Sequence, residues 1–335
     1  MKTQNKILMA ILCAYIIFGC LNQEYSPKVS HDTVQMEKEK VNLIWSKDNI
    51  YTVWSTFDST IDASNNMICY LGGLDSSIDN DVVCMNSMNG EILWQKYSGI
   101  HDSIAVTSNA VFVIYSSNTG VRRYDSSGKI IWSKNLSGTG SNYLYVIGDQ
   151  LQILTVPERF WVLDFDGNEI KKISGDKVFI STSEGTFAES NGIQLLETNS
   201  GEVIWKYNNL HDVLEMAPLF IDTKILVRTG QESGSIYALD RKNGVFLWKT
   251  DNNIISNVVY SPSKKKIYAL TRDGKLLAID ENDGKADTIA EFSSVPFVLN
   301  GEANVGSYQL AYDLNENILF VSLGDSSQLF AFKEQ

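Results

Sequence analysis

The chain has 335 residues, 44% of them hydrophobic, enough for a substantial core. It carries 40 acidic against 28 basic residues, a net charge of −12. That balance disfavours nucleic acid and anionic lipid headgroups as partners. Only 5 prolines are present, and no low-complexity tract interrupts residues 41–335.

In chain order the first element is an export signal. Lys2 and Lys6 precede a twelve-residue apolar run, Ile7 to Phe18. A membrane-spanning helix needs about 20 such residues, so the run fits the core of a secretory signal peptide over residues 1–19. Ile17-Phe18-Gly19-Cys20 resembles a bacterial lipobox. That resemblance implies cleavage before Cys20 and lipidation of its thiol, with two or three acyl chains for stable anchoring. Loss of Lys2 and Lys6 takes the mature charge to −14. Residues 20–40 hold the lipidated cysteine and a polar stretch without apolar periodicity, read as a flexible tether. Leu21, where enteric-type lipoproteins retained at the inner membrane carry aspartate, favours the outer membrane.

From residue 41 onward strands dominate. Residues 41–47, VNLIWSK, form a strand with Trp45 and no partner before it. An eleven-residue pattern then recurs: small-x-acid-x-x-x-Gly-x-x-x-Trp. It runs through Cys84, Asn86, Gly90 and Trp94, then in shorter form through Asp125, Gly128 and Trp132. Asp164 to Gly167 keeps the turn, but Lys171 stands where tryptophan is expected. Glu197, Gly201 and Trp205 follow, then Ala238, Asp240, Gly244 and Trp248. Asp280 to Gly284 ends on Thr288. The acidic or amide side chain caps its own turn, and glycine supplies the positive φ. Two further strand-like runs precede each copy. Four strands per unit, recurring every 34 to 49 residues, is the pattern of a propeller blade. The C-terminus offers only three strands, QLAYDL, ILFVSLG and QLFAFK. The expected fold is therefore all-β: a seven-bladed propeller of four-stranded antiparallel blades. The strand at residues 41–47 completes the last blade and removes two open edges.

These repeats resemble the tryptophan-docking repeats of quinoprotein-like (PQQ-like) β-propellers over residues 41–335. Within that group the chain is similar to the propeller lipoproteins of outer-membrane β-barrel assembly machines. Those carry eight blades, and seven are counted here. The resemblance implies a non-enzymatic scaffold that binds an envelope protein and is held to the membrane by its lipid. A PQQ-type quinoprotein or other propeller enzyme, and a polysaccharide-binding or sensor surface lipoprotein, are the alternatives. PQQ-dependent dehydrogenases of this fold carry adjacent cysteines and calcium-binding carboxylates, and this chain has no vicinal cysteines, so no cofactor is expected.

Catalytic and metal constellations are sparse. His31, His101 and His211 are scattered, without metal-ligand spacing. The sequences at 164–169 and 280–284 lack the twelve-residue calcium ladder and coincide with the repeat turn. No metal and no nucleic acid are expected. Cys69 and Cys84 fall on adjacent strands. A disulfide is open to them, but packed thiols are favoured, because Cys84 occupies the small position of the repeat. Trp45, Trp94, Trp132, Trp205 and Trp248 recur around the ring and cannot converge on one ligand, so they are expected to pack between blades with Gly90, Gly128, Gly201 and Gly244. Candidate partner-binding residues lie where loops break the repeat length: Glu158 and Arg159 in 155–160, and Pro296 and Phe297 in 293–306.

Overall fold

The computed structural model describes residues 34–36, 41–52, 60–74, 81–97, 99, 101–115, 120–136, 143–155, 159–174, 178–189, 192–210, 218–229, 234–292, 308–323 and 327–334. These residues build seven antiparallel sheets, each holding four strands in the blade order expected, and two of them carry a fifth: Ile50–Thr52 pairs with Met67–Leu74 in blade 1, and a short strand adds to blade 6. The first strands of neighbouring blades approach one another and so line the axis of the ring. The fourth strands form the rim: Ile92–Tyr97, Ile130–Asn135, Glu169–Ser174, Val203–Tyr207, Phe246–Asp251, Ala286–Phe292 and, in blade 7, Val41–Asp48. The last of these pairs with Gln328–Glu334, setting Trp45 opposite Ala331. The ring thus closes through its N-terminal strand, as the split repeat required.

Each repeat turn is built from its own acid, or in blade 1 the amide Asn86, and its glycine. In blade 5, Asp240 Oδ1 accepts from the Lys242 and Asn243 amides at 3.0 Å each, and the Gly244 amide donates to the Asp240 carbonyl at 2.8 Å. Gly244 sits at φ +70, where a side chain would be strained. Every rim strand carries a β-bulge, in blades 1 to 5 just beyond the turn. The bulge sets the tryptophan back in register, so Trp248 lies opposite Ala238 and Trp94 opposite Cys84.

The tryptophans join one blade to the next. The indole N–H of Trp45 donates to the Ser87 carbonyl at 2.9 Å. Trp94 reaches Ser126, Trp132 reaches Phe165, Trp205 reaches Arg241 and Trp248 reaches Glu281, all at 2.9–3.1 Å. Each accepting carbonyl belongs to the repeat turn of the following blade, and the ring lies against that turn's glycine. A Cβ on Gly244 would stand 2.4 Å from Trp205, and one on Gly284 2.6 Å from Trp248. Glycine here is needed twice, for its φ and for the approach of the indole.

Two of the seven junctions have no docked tryptophan, because blade 3 carries Lys171 and blade 6 carries Thr288. A Cβ on Gly201, in the turn after blade 3, would meet nothing within 4 Å. Both junctions carry a different device near the axis. Gln152 in blade 3 donates to the Ser181 carbonyl at 2.6 Å and accepts from the Ser181 amide at 2.8 Å. Asn257, before blade 6, does the same to Leu310 of blade 7, at 2.8 and 2.6 Å. A side-chain amide thus clamps the neighbouring backbone where the indole is missing. The 6/7 junction is further filled by Tyr268, Tyr312 and Ser261, whose hydroxyls all bond the buried Glu334 carboxylate.

Apolar packing is layered between blades rather than gathered in one central core. Among the described residues the largest cluster spans blades 6 and 7, around Tyr268, Phe292, Tyr308 and Phe332. Blade 3 packs Leu144, Leu151, Ile153, Trp161 and Leu163 against blade 2, and on its other side, among the described residues, a small cluster forms of Phe160 and Val162 with Leu154 and Ile173 beside it.

Two details depart from the sequence reading. Cys69 and Cys84, directly opposite on antiparallel strands of blade 1, are joined as a disulfide rather than packed as thiols. Both are fully buried. The repeat logic located the small position, but the pairing follows from register: the strands place the two Cα atoms 4.1 Å apart. In addition, residues expected as tether contribute a strand. Val34–Met36 adds antiparallel to the outer edge of blade 6, with Gln35 opposite Glu291.

Candidate partner-binding face

The topology sorts the connections onto two faces. One face holds the turns between first and second strands and the repeat turns between third and fourth. The other holds the connections between second and third strands and those from each rim strand to the next blade. The first face is regular, being made of short capped turns. Asp125, Asp164 and Asp280 hold their carboxyls below the ordinary range, chiefly through hydrogen bonds from Ser127, Asn168 and the Asn282 amide respectively. These are self-satisfied turns. The sequences at 164–169 and 280–284 that faintly resemble calcium loops lie among them.

The second face receives the connections whose lengths break the repeat in sequence. The segment 155–160 joins the second and third strands of blade 3, and 293–306 joins blade 6 to blade 7. Both candidate loops therefore leave from the same face, which the sequence could not specify. Arg159 opens the third strand of blade 3, opposite Thr155 and Ser174. Glu158, Pro296, Phe297 and Cys20 lie outside the described residues, as do His31 and His211.

A groove of about 500 Å³ opens on this second face between blades 5 and 6. Asp251, Asn252 and Asn253 form one wall, and Thr271, Arg272, Asp273 and Lys275 the other. Its cause is local. Leu277 and Ala286 stand where blade 5 has Tyr237 and Phe246, and Thr288 lies opposite Leu277 as Lys249 lies opposite Tyr237, so the floor lacks aromatic bulk. Its charges are internally matched: Lys275 pairs with Asp273 at 2.6 Å. Among the described residues no group of three or more His, Cys, Asp or Glu is placed to hold a metal ion.

One titratable group near the axis is set apart. Asp62, on the first strand of blade 1, accepts from the Val106 amide at 2.6 Å and the Ala63 amide at 2.8 Å. Burial pushes its carboxyl up to about 6, the two amides pull it down, and the charge of Asp313 raises it further. Asp313 is itself fully buried and accepts from the Asn66 amide and the Ser87 hydroxyl. A folded value above the ordinary 3.8 means that protonation favours the fold. The contribution is complete below pH 3.8 and is lost as pH rises through about 6. Urea unfolding at constant ionic strength is expected to show stability rising as pH falls from 7 to 5, by up to about 1.4 kcal/mol per pH unit. Asp62→Asn should flatten that slope. An unchanged slope in the variant would assign it to another group.

Comparison with known proteins adds the family. The family model described as outer membrane protein assembly factor BamB matches residues 79–172 and 167–322. Among solved structures, a chain of the mitotic checkpoint complex superposes with a TM-score of 0.66 at 13% identity, covering 93% of this chain and 97% of that one. BamB from Moraxella catarrhalis superposes with a TM-score of 0.54 at 12% identity, covering 88% and 97%. At these identities the superpositions carry the fold alone. Against curated protein sequences the chain finds no match.

Proposed function

This chain belongs to the family of outer membrane protein assembly factor BamB, and we propose on that premise that it is a non-enzymatic, protein-binding scaffold of the outer membrane. The observation that carries the reading is the span of the family match, which runs through the ring from residue 79 to 322. Two physical features support it. The five repeat tryptophans are committed to junctions between blades, which leaves them unavailable as a stacking platform for a quinone or a sugar. The connections that break the repeat length leave from one face of the ring, the arrangement by which loops present a binding surface.

The proposed organisation is a signal peptide over residues 1–19, a lipid on Cys20, a tether over 20–40 that includes the added strand, and the ring over 41–335. The ring would face the periplasm, an oxidising compartment in which the Cys69–Cys84 disulfide persists. Its partner would be a protein of outer-membrane assembly, met through the face that carries 155–160 and 293–306. Cross-linking in the native envelope, read by mass spectrometry, tests this directly. Cross-links from that face to envelope assembly proteins are expected, and their absence in favour of small-molecule turnover would sink the scaffold reading.

The anchor is tested separately. Cys20→Ser should move the protein from the membrane to the soluble fraction, because no other apolar run in the sequence approaches the length needed to hold it. Retention of that variant after a high-salt wash would refute lipidation as the anchor.

A further inference from the structure

The rim of a propeller is a circle of sheet edges, and each rim strand offers unpaired backbone groups to any extended chain. In six blades that edge is guarded. Lys47, Lys96, Lys134, Lys171, Lys206 and Lys249 each lie in the rim strand just beyond its bulge. Lysine on an edge opposes the approach of another strand, since pairing would desolvate its charge. Two of these side chains also reach forward, Lys47 to the Gly90 carbonyl and Lys134 to that of Gly167.

Blade 6 breaks the rule. Its rim strand, ADTIAEF over Ala286–Phe292, has no lysine or arginine, and its only charges are Asp287 and Glu291. Its bulge is also displaced. Elsewhere the extra residue points outward, as with Leu93 at 50%, Ile204 at 49% and Leu247 at 41% exposed. In blade 6 the extra residue is Ile289, which is buried in the cluster with blade 7. The edge beyond it, Ala290 to Phe292, is therefore regular and unguarded. It is also the edge on which an added strand sits: Val34, Gln35 and Met36 pair with Phe292, Glu291 and Ala290.

We propose that the outer edge of blade 6 is a strand-addition site for an extended segment of a partner protein, and that Val34–Met36 is a short intramolecular occupant which the partner displaces. Three paired residues, against seven in the neighbouring Val41–Asp48, make a weak clasp. Main-chain hydrogen bonds would supply affinity, and alternate side chains the selectivity. The register defines the partner's chemistry. Apolar residues belong opposite Phe292 and Ala290, and a basic residue belongs opposite Glu291, where this chain offers neutral Gln35. The inference deepens the scaffold reading by naming a place and a ligand class. It is tested on the purified full chain, so it and the assembly role can fail independently.

Two labelled peptides serve as probes: residues 32–38 of this chain, and the same peptide with Gln35→Lys. A full-length chain carrying Gln35→Pro, which removes an amide and resists strand pairing, presents the edge open. Fluorescence anisotropy should show the open chain binding the first peptide, and the parent binding it at least about tenfold more weakly, because its own strand competes. The Gln35→Lys peptide should bind roughly two- to fivefold more tightly, the scale of a half-exposed ion pair. Glu291→Gln should erase that preference. Binding of neither peptide to a folded open chain, or a preference that survives Glu291→Gln, overturns the proposal. Should Gln35→Pro disturb the ring, hydrogen exchange on the parent decides. Saturating peptide should speed exchange at residues 34–36 while 290–292 stay protected, and unchanged exchange at 34–36 counts against displacement.

Discussion

Deleting residues 41–48 is expected to unfold the ring at ordinary temperature. The segment is the rim strand of blade 7, paired along its length with Gln328–Glu334. Its loss exposes that strand as an open edge and removes the buried Val41 from the largest apolar cluster. It also removes Trp45, whose indole donates to Ser87 and packs 5.9 Å from Phe320. A tryptophan lost from such a site costs about 3–5 kcal/mol. With the strand's own pairing added, the sum approaches the whole stability of a typical domain, about 5–15 kcal/mol. Deletion of residues 21–33 is the proper control, because 34–36 belong to blade 6 and a longer excision would cut a paired strand. Thermal melting and gel filtration read the result. A 41–48 deletion that melts with the parent would mean that the ring does not need closure by its N-terminal strand.

The blade count, the split closure and the docking positions were legible because the repeat writes them in the same residues each time. A capped acid, a glycine and a tryptophan at fixed offsets have one physical use, and Gly90, Gly128, Gly244 and Gly284 all meet an indole. Gly201 was read as an equal member, yet no indole docks on its turn. The sequence held the reason in Lys171, because the tryptophan that docks on a turn comes from the preceding blade. The amide clamps were not legible. Gln152 lies on a second strand and Asn257 precedes a first strand, so they share no repeat position. Only the three-dimensional junction shows that they do one job. The added strand at Val34–Met36 was hidden for a related reason: three residues carry no periodicity, and what distinguishes the site is the missing lysine on a strand more than 250 positions away. The candidate site was legible only as a set of irregular loop lengths, and the topology then assigned those loops to one face.

Trp248→Ala is expected to destabilise the ring by about 3–5 kcal/mol, measured as unfolding free energy in urea, and to leave partner binding by the folded fraction intact. Its side chain is 6% exposed, packed with Leu277 and Ile279 of blade 6, and hydrogen-bonded to the Glu281 carbonyl. The loss therefore combines a large cavity with an unsatisfied carbonyl. A double-mutant cycle separates docking from generic packing. Gly284→Ala in the parent brings a Cβ to 2.6 Å from Trp248 and adds a clash to the backbone strain at φ +72. In the Trp248→Ala background the clash is gone and only the strain remains, about 1–2 kcal/mol. Gly201→Ala, at φ +71 with nothing within 4 Å, measures that strain alone in the intact ring. The expected outcome is a strong coupling between positions 248 and 284, with Gly201→Ala and Gly284→Ala in the truncated background costing the same. Additive effects would show that the indole does not rest on the glycine. Lost partner binding with an unchanged unfolding free energy would move Trp248 from the junction to the binding surface, because a residue that holds two blades together cannot be removed without weakening the ring.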